Sequence, residues 1–189
     1  MPLPNKPFYF IRHGETDWNK SNIIMGSIDI PLNDLGIAQS EKAALILKKE
    51  KFDTIISSPR IRALKTAQVI AEQVKIHKPI IINEQIMERE WGDAEGKPHD
   101  PTKCLFNDED TPRGAETFSA FTKRVLKAVS LILLEYNCPL IVSHGGVFKV
   151  LADSLGYKNL QAANCSPFLF KPSENLWLVQ NLANERLEL

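Results

Sequence analysis

The 189-residue chain has no excess of charge: 23 Lys plus Arg stand against 23 Asp plus Glu, for a formal net charge of zero. Without a basic field it has no general means of holding nucleic acid or an anionic membrane, so neither is expected as a partner and any anion site must be local. Cysteine is scarce. Cys104, Cys138 and Cys165 form an odd, widely spaced set with no C-x-x-C pair. This argues against a disulfide framework and a thiolate zinc site, and points to free thiols in a reducing compartment, the cytoplasm. Long apolar runs are missing too, with nothing near the roughly 18 residues of a membrane span. The opening "MPLPNKPFYFIRHGE" has one Lys and a four-residue apolar run before Arg12, too little for a signal peptide. There are no internal repeats and no low-complexity tracts.

What is present is an ordinary globular composition, 43% hydrophobic and 24% charged, at a length that fits one domain, 1–189, with a sizeable core. Phe8 to Ile11 is a short apolar run, the form of a buried strand. "GSIDIPLND" reads as a loop, and Asn33 or Asp34 can cap a helix running to about Lys51, with Ala38, Leu45 and the Ala44, Ile46 and Leu47 group on its apolar stripe. "DTIISSP" predicts a second strand, followed by a helix from about Arg60 to Lys75, and "KPIII" is a third strand candidate. Residues 91–115 hold three Pro, four Asp and three Gly, a long loop of the kind that is usually functional or mobile and is placed to cover a site.

From Glu116 to Tyr136, Phe118, Phe121, Val125, Ala128, Val129, Ile132 and Leu133 recur in steps of three and four, which predicts an amphipathic helix. "PLIVSHGG" is strand then turn, "VFKVLADSLG" a short helix ended by Gly156, and "FLFKPSENLWLVQ" a hairpin. Strands alternating with helices predict an α/β fold: a three-layer sandwich whose mainly parallel central sheet is flanked by helices, with the hairpin at an edge.

In such sheets ligands bind outside the carboxyl ends of the strands. Arg12-His13, Ser57 to Arg62, and Ser143-His144-Gly145-Gly146 each follow a predicted strand, so three polar clusters should meet on one rim. Guanidiniums bind tetrahedral oxyanions bidentately. Gly145 and Gly146 at a helix start let backbone N–H groups approach an anion. The ligand expected there is a phosphoryl group. Metal binding is the competing use of His13 and His144, but no H-x-x-x-H spacing occurs and arginine neighbours repel a cation. Neither a metal nor a cofactor is expected.

"RHGETDWN" at 12–19 resembles the signature of the histidine phosphatase superfamily, in the branch of cofactor-dependent phosphoglycerate mutase. "MGSIDIPLNDLGIAQ", "SSPRIRALKTA", "MEREWGDAEG", "GAETFSAFTKRV" and "SHGGV" follow in that family's order, and the likeness runs from residue 8 to about 150. The resemblance implies a phosphoglycerate mutase-like fold, with His13 as the nucleophile that becomes a phosphohistidine. It implies Arg12, Arg62 and His144 as the phosphate pocket, and Glu88 as the general acid that later activates water. Glu90 is the nearby alternative, and the register with Trp91-Gly92 favours Glu88. Asn19 and Gly26 match substrate or phosphate contacts, with Thr16 and Gly145 as further candidates. Arg60 falls on a variable position and is expected to be a solvated charge able to approach a substrate. Glu15 is expected to buttress the loop, and Trp18 and Trp91 to be wall or core.

Mutases and phosphatases of this family share the pocket. The mutases are longer and carry basic residues in an insertion after the element matching "WGDAEG". Here only residues 97–113 separate that element from "GAET", with Lys97, Lys103 and Arg113 set against Asp100, Asp108, Glu109 and Asp110. A more open and less cationic site admits water, so hydrolysis of a small phosphorylated metabolite is the expectation. A phosphoglycerate mutase, a phosphoprotein phosphatase and a non-catalytic phospho-ligand module are the alternatives. No residue selects a substrate, and no interface stripe indicates an oligomeric state.

Overall fold

A strand covered on both faces can be apolar at every position, and this condition decides which strand is central. In the computed structural model, which describes residues 2–100, 107–174 and 176–184, β1 (Phe8–Arg12) is buried from Phe8 through Ile11. Phe8 and Phe10 join the core on one face of the sheet, and Tyr9 and Ile11 the core on the other. The remaining elements are α1 (Asp17–Lys20), α2 (Asp34–Leu47), β2 (Ile55–Ser57), α3 (Ile61–Val74), β3 (Ile81–Ile82), α4 (Phe118–Glu135), β4 (Leu140–Ser143), α5 (Gly145–Ser154), β5 (Pro167–Pro172) and β6 (Trp177–Asn181). The sheet order is β3-β2-β4-β1-β5-β6. The first four strands of that order run parallel, β5 is antiparallel to β1, and β5 and β6 form the edge hairpin.

Helices α4 and α5 pack on the Phe8 and Phe10 face, where Phe8 stacks on Phe170 with ring centroids 4.5 Å apart. Helices α2 and α3 pack on the other face. The mixed α/β sandwich with a mostly parallel sheet is therefore the architecture that the alternation of elements predicts. The apolar stripe of α4 is also where its periodicity puts it, with Phe121, Val125, Ala128, Val129, Ile132 and Leu133 buried and Phe118 half-buried. Asn33 caps α2, its side chain accepting from the Gly36 N–H at 2.8 Å.

Three local expectations change. Ala38 is exposed and so is Leu45, because the buried stripe of α2 is Gly36, Ser40, Ala43, Ala44 and Leu47. That stripe begins with glycine because the turn after β1 lies directly on the helix at Gly36. A Cβ on Gly14 would overlap the Gly36 carbonyl, and one on Gly36 would overlap the Glu15 backbone. The "KPIII" strand is reduced to Ile81–Ile82 at the sheet edge, as fits Pro79, which has no N–H to give to a ladder. Within "TDWNK" the structure adds the one-turn helix α1, closed by a capping box between Thr16 and Asn19.

Among the described residues no helix is long and apolar enough to cross a membrane. Cys138 and Cys165 are free thiols that burial holds protonated, each pushed up to about 11. Cys104 and Lys103 lie outside the described residues.

Candidate active site

The carboxyl ends of β1, β2 and β4 do converge. The His13 N–H donates to the Ser143 carbonyl at 2.9 Å and the Ser58 N–H to Val142 at 3.0 Å, so the chain leaves all three strands in register. His13 and His144 face each other edge-on with ring centroids 5.3 Å apart. His13 is 2% exposed and His144 fully buried.

His13 Nδ1 lies 2.7 Å from the Gly14 carbonyl. A carbonyl only accepts, so Nδ1 carries the proton and Nε2 keeps its lone pair. Burial pushes the His13 pKa well below the usual imidazole value, and Arg62 and Arg12 push it further. Both effects favour the neutral ring. His144 is held neutral by the same causes, burial first and then Arg62, with His13, Arg60 and Arg12 adding to it. Its Nε2 pairs with Ser58 Oγ at 2.8 Å, while its buried Nδ1 has no partner.

The arginines are anchored and yet under-used. Arg62, 1% exposed, donates to the carbonyls of Gly26 at 3.0 Å and Ile28 at 3.1 Å and pairs with Asp29 at 3.5 Å. Burial lowers it to about 10, which leaves it charged at neutral pH. Arg12 donates to the Ala162 carbonyl at 3.1 Å. The buried Nε atoms of Arg12, Arg60 and Arg62 all lack partners. A buried donor left unpaired is costly without an acceptor such as an oxyanion. Arg60 stands at the start of α3, half-buried, and its charge bears on both His144 and Arg62.

Glu88 faces this cluster, and the exposed Glu90 does not. Its carboxylate accepts from the N–H of Arg89 at 2.9 Å and of Gly146 at 3.0 Å. The expectation that the Gly146 N–H is presented to a ligand is therefore corrected, since Glu88 occupies it. A Cβ on Gly146 would overlap that carboxylate. Gly145 stands beside the Arg12 guanidinium. Arg124 of α4 holds the Glu88 segment in place, donating to the carbonyls of Gln85 at 2.8 Å and Met87 at 3.1 Å while paired with Glu116 at 2.7 Å.

His13, Arg12, Arg62, Glu88, Asn19 and Gly26 line one cavity of about 190 Å³. The Asn19 amide oxygen accepts from the Thr16 N–H and the Asn164 amide, which turns its donor end outward. Thr16, a candidate substrate contact, is instead fully buried beneath the cavity, its hydroxyl capping α1 and touching Met25 Sδ. Glu15 buttresses as expected, pairing with Asn33 at 3.0 Å. Trp91 is wall: it is 6% exposed and lines the cavity.

Several participants carry no sequence signal of their own. Asn164 donates to the His13 carbonyl at 2.8 Å, and the Cys165 N–H to the Arg12 carbonyl at 3.0 Å, from a segment outside every motif. Asn22 and His99 also line the cavity. Glu95 ties the loop after α1 to the loop after Glu88, accepting from Ser27 N–H and Oγ and from Trp91 N–H. The only available hint was its place in the "WGDAEG" element. Among the described residues no three His, Cys, Asp or Glu side chains are grouped to hold a metal ion.

Fold and rim together define an α/β protein with a cationic, two-histidine site at the ends of parallel strands. The chain belongs to branch 1 of the histidine phosphatase superfamily, whose family model matches residues 8–184. It is 36% identical over 147 residues to the uncharacterized phosphatase PhoE of Bacillus subtilis, covering 77% of this chain and 75% of that protein. It is 31% identical over 169 residues to the fructose-2,6-bisphosphatase TIGAR of Xenopus tropicalis, covering 84% of this chain and 60% of that longer protein. The structure of a phosphoserine phosphatase mutant from Entamoeba histolytica, in complex with phosphoserine, superposes with a TM-score of 0.78 at 28% identity over 97% of this chain and 99% of that one. Such relatives support a phosphatase activity for the chain.

Proposed function

We propose that the protein hydrolyses a small phosphorylated metabolite through a phosphohistidine on His13. The observation that carries this reading is the state of His13: buried, neutral, its Nδ1 proton committed to Gly14, and its Nε2 lone pair on the rim that Arg12 and Arg62 share. In the first half-reaction Nε2 attacks phosphorus, the N–P bond forms as the P–O bond to the leaving group breaks, and a protonated Glu88 gives its proton to the departing oxygen. In the second, the Glu88 carboxylate takes a proton from water as the water oxygen attacks phosphorus. The N–P electron pair then returns to Nε2 and inorganic phosphate leaves. Arg12, Arg62 and His144 offer fixed donors to the transferring oxygens, the charge stabilisation on which phosphoryl transfer depends.

Hydrolysis is favoured over mutase action by where the basic residues of the 91–115 loop go. Lys97 and Arg113 line a separate cavity with Asp93, Asp100 and Asp110. Among the described residues no cation of that loop faces His13 to retain an intermediate. Two free thiols fit the reducing cytoplasm as its place of action.

The test is acid quenching with substrate radiolabelled in its phosphoryl group. Wild type should trap acid-labile, alkali-stable label and His13→Ala none, with turnover of p-nitrophenyl phosphate unchanged by chelator. Undiminished labelling of the variant would remove His13 from the nucleophile's role, and chelator-sensitive turnover restored by one divalent ion would replace the metal-free scheme.

A further inference from the structure

The cavity beyond the phosphoryl pocket has a composition of its own. Ile24, Met25 and Trp91 give it apolar surface, Asn22 and His99 give it polar groups, and among the described residues no lysine or further arginine lines it. Arg60, the third guanidinium of the cluster, is not among its lining residues. At about 190 Å³ it is smaller than the roughly 300 Å³ at which sites for drug-sized ligands begin.

The wall is closed by a short zipper of backbone between two loops. The Ile24 N–H donates to Lys97 at 3.0 Å, the Gly96 N–H to Ile24 at 2.9 Å and the His99 N–H to Asn22 at 2.8 Å. Asn22 has a φ of +54, a left-handed conformation that asparagine enters more readily than most residues. Its amide reaches the His99 carbonyl at 3.5 Å. The same zipper that brings His99 to the cavity turns Lys97 away into the acidic one.

We infer that the site selects compact monophosphates whose non-reacting end carries hydroxyl or carboxylate oxygen, and that His99, with Asn22, binds that end. A second phosphoryl group brings close to two further negative charges and needs a guanidinium or ammonium partner, which this wall lacks among the described residues. Imidazole and amide groups suit single oxygens. The inference rests on the phosphatase reading and narrows its substrate class.

The experiment compares kcat/KM for glycerol 3-phosphate, 3-phosphoglycerate, 2,3-bisphosphoglycerate and p-nitrophenyl phosphate in wild type, His99→Ala and His99→Asn. In wild type, the better of the two compact monophosphates should exceed the bisphosphate by at least about tenfold, a difference of about 1.4 kcal/mol. His99→Ala should lower kcat/KM on that monophosphate about tenfold, chiefly through KM, with a loss several-fold smaller on the aryl phosphate. His99→Asn, which keeps a donor, should recover part of it. A bisphosphate turned over as well as the monophosphates by wild type would overturn the inference without any variant. Equal losses on all substrates in His99→Ala would overturn the role of His99. Absence of turnover on every substrate, aryl phosphate included, would instead defeat the phosphatase reading itself.

Discussion

The rim that holds His13 and the cover that faces it are built by different means. On the rim, Arg12, His13, Ser58 and His144 sit at or just past the ends of buried strands, and the parallel ladder of β1, β4 and β2 sets their positions. The cover is made of loops, 22–28 and 91–100, held by the Glu95 carboxylate, by Arg62 on the Gly26 and Ile28 carbonyls, and by a few backbone bonds. A sheet fixes atoms through many cooperative contacts, whereas a loop clamp depends on a few. On the proposed reading, chemistry belongs to the rim and selection to the cover, and each can be damaged separately.

The sharpest way to test that division is to remove His13, the proposed nucleophile. His13→Ala should lower turnover of every substrate by roughly four orders of magnitude or more, the scale seen when a covalent catalyst is deleted, read as kcat on p-nitrophenyl phosphate. A loss confined to some substrates would place the chemistry partly in the cover. Next in size is Glu88→Gln, which should slow alkyl phosphates by roughly a hundredfold to a thousandfold and aryl phosphates far less, because an aryl oxide departs without a proton. Equal losses on both would deny Glu88 the acid role.

Glu95→Ala tests the cover alone. It should raise KM about tenfold, or about 1.4 kcal/mol, with kcat little changed, and Glu95→Gln should restore part of the affinity because one acceptor oxygen remains. If kcat collapses instead, rim and cover are not separable. The smallest effect is on stability against pH, and it belongs to the rim. His13 and His144 have folded pKa values well below their unfolded value near 6.5. The unfolded chain therefore binds more protons below that pH. The stabilisation is fully present above about pH 6.5 and is lost as pH falls, by up to about 1.4 kcal/mol per pH unit for each histidine. Urea midpoints should drop from pH 7 to pH 5, and less steeply in His144→Asn. An unchanged slope in that variant would show that His144 does not contribute.

The same division explains what could be read in advance. That Arg12, His13, Arg62 and His144 meet on one rim was legible because strand ends are marked by apolar runs stopping at polar residues, whereas Glu88 was singled out only by the family resemblance of "MEREWGDAEG". The α4 stripe was legible from its period. On α2 the reading failed at Ala38 and Leu45, because close backbone contact with the turn after β1 favours glycine, serine and alanine there over large apolar residues. The partial burial of Arg60, whose Nε has no partner, is not announced by its place at a helix start.

The amino-acid sequence by itself determined the alternation of strands and helices, the mostly parallel sheet and the residues delivered to its carboxyl end, because these follow from short-range periodicity and chain connectivity. Only the tertiary structure decided which N–H groups stay free and which wall the substrate meets. Glu88 takes the Gly146 N–H from 58 positions away, and Asn164 supports His13 across 151. Pairings over such separations leave no local pattern, and they exist only once the folded sheet has brought distant loops together.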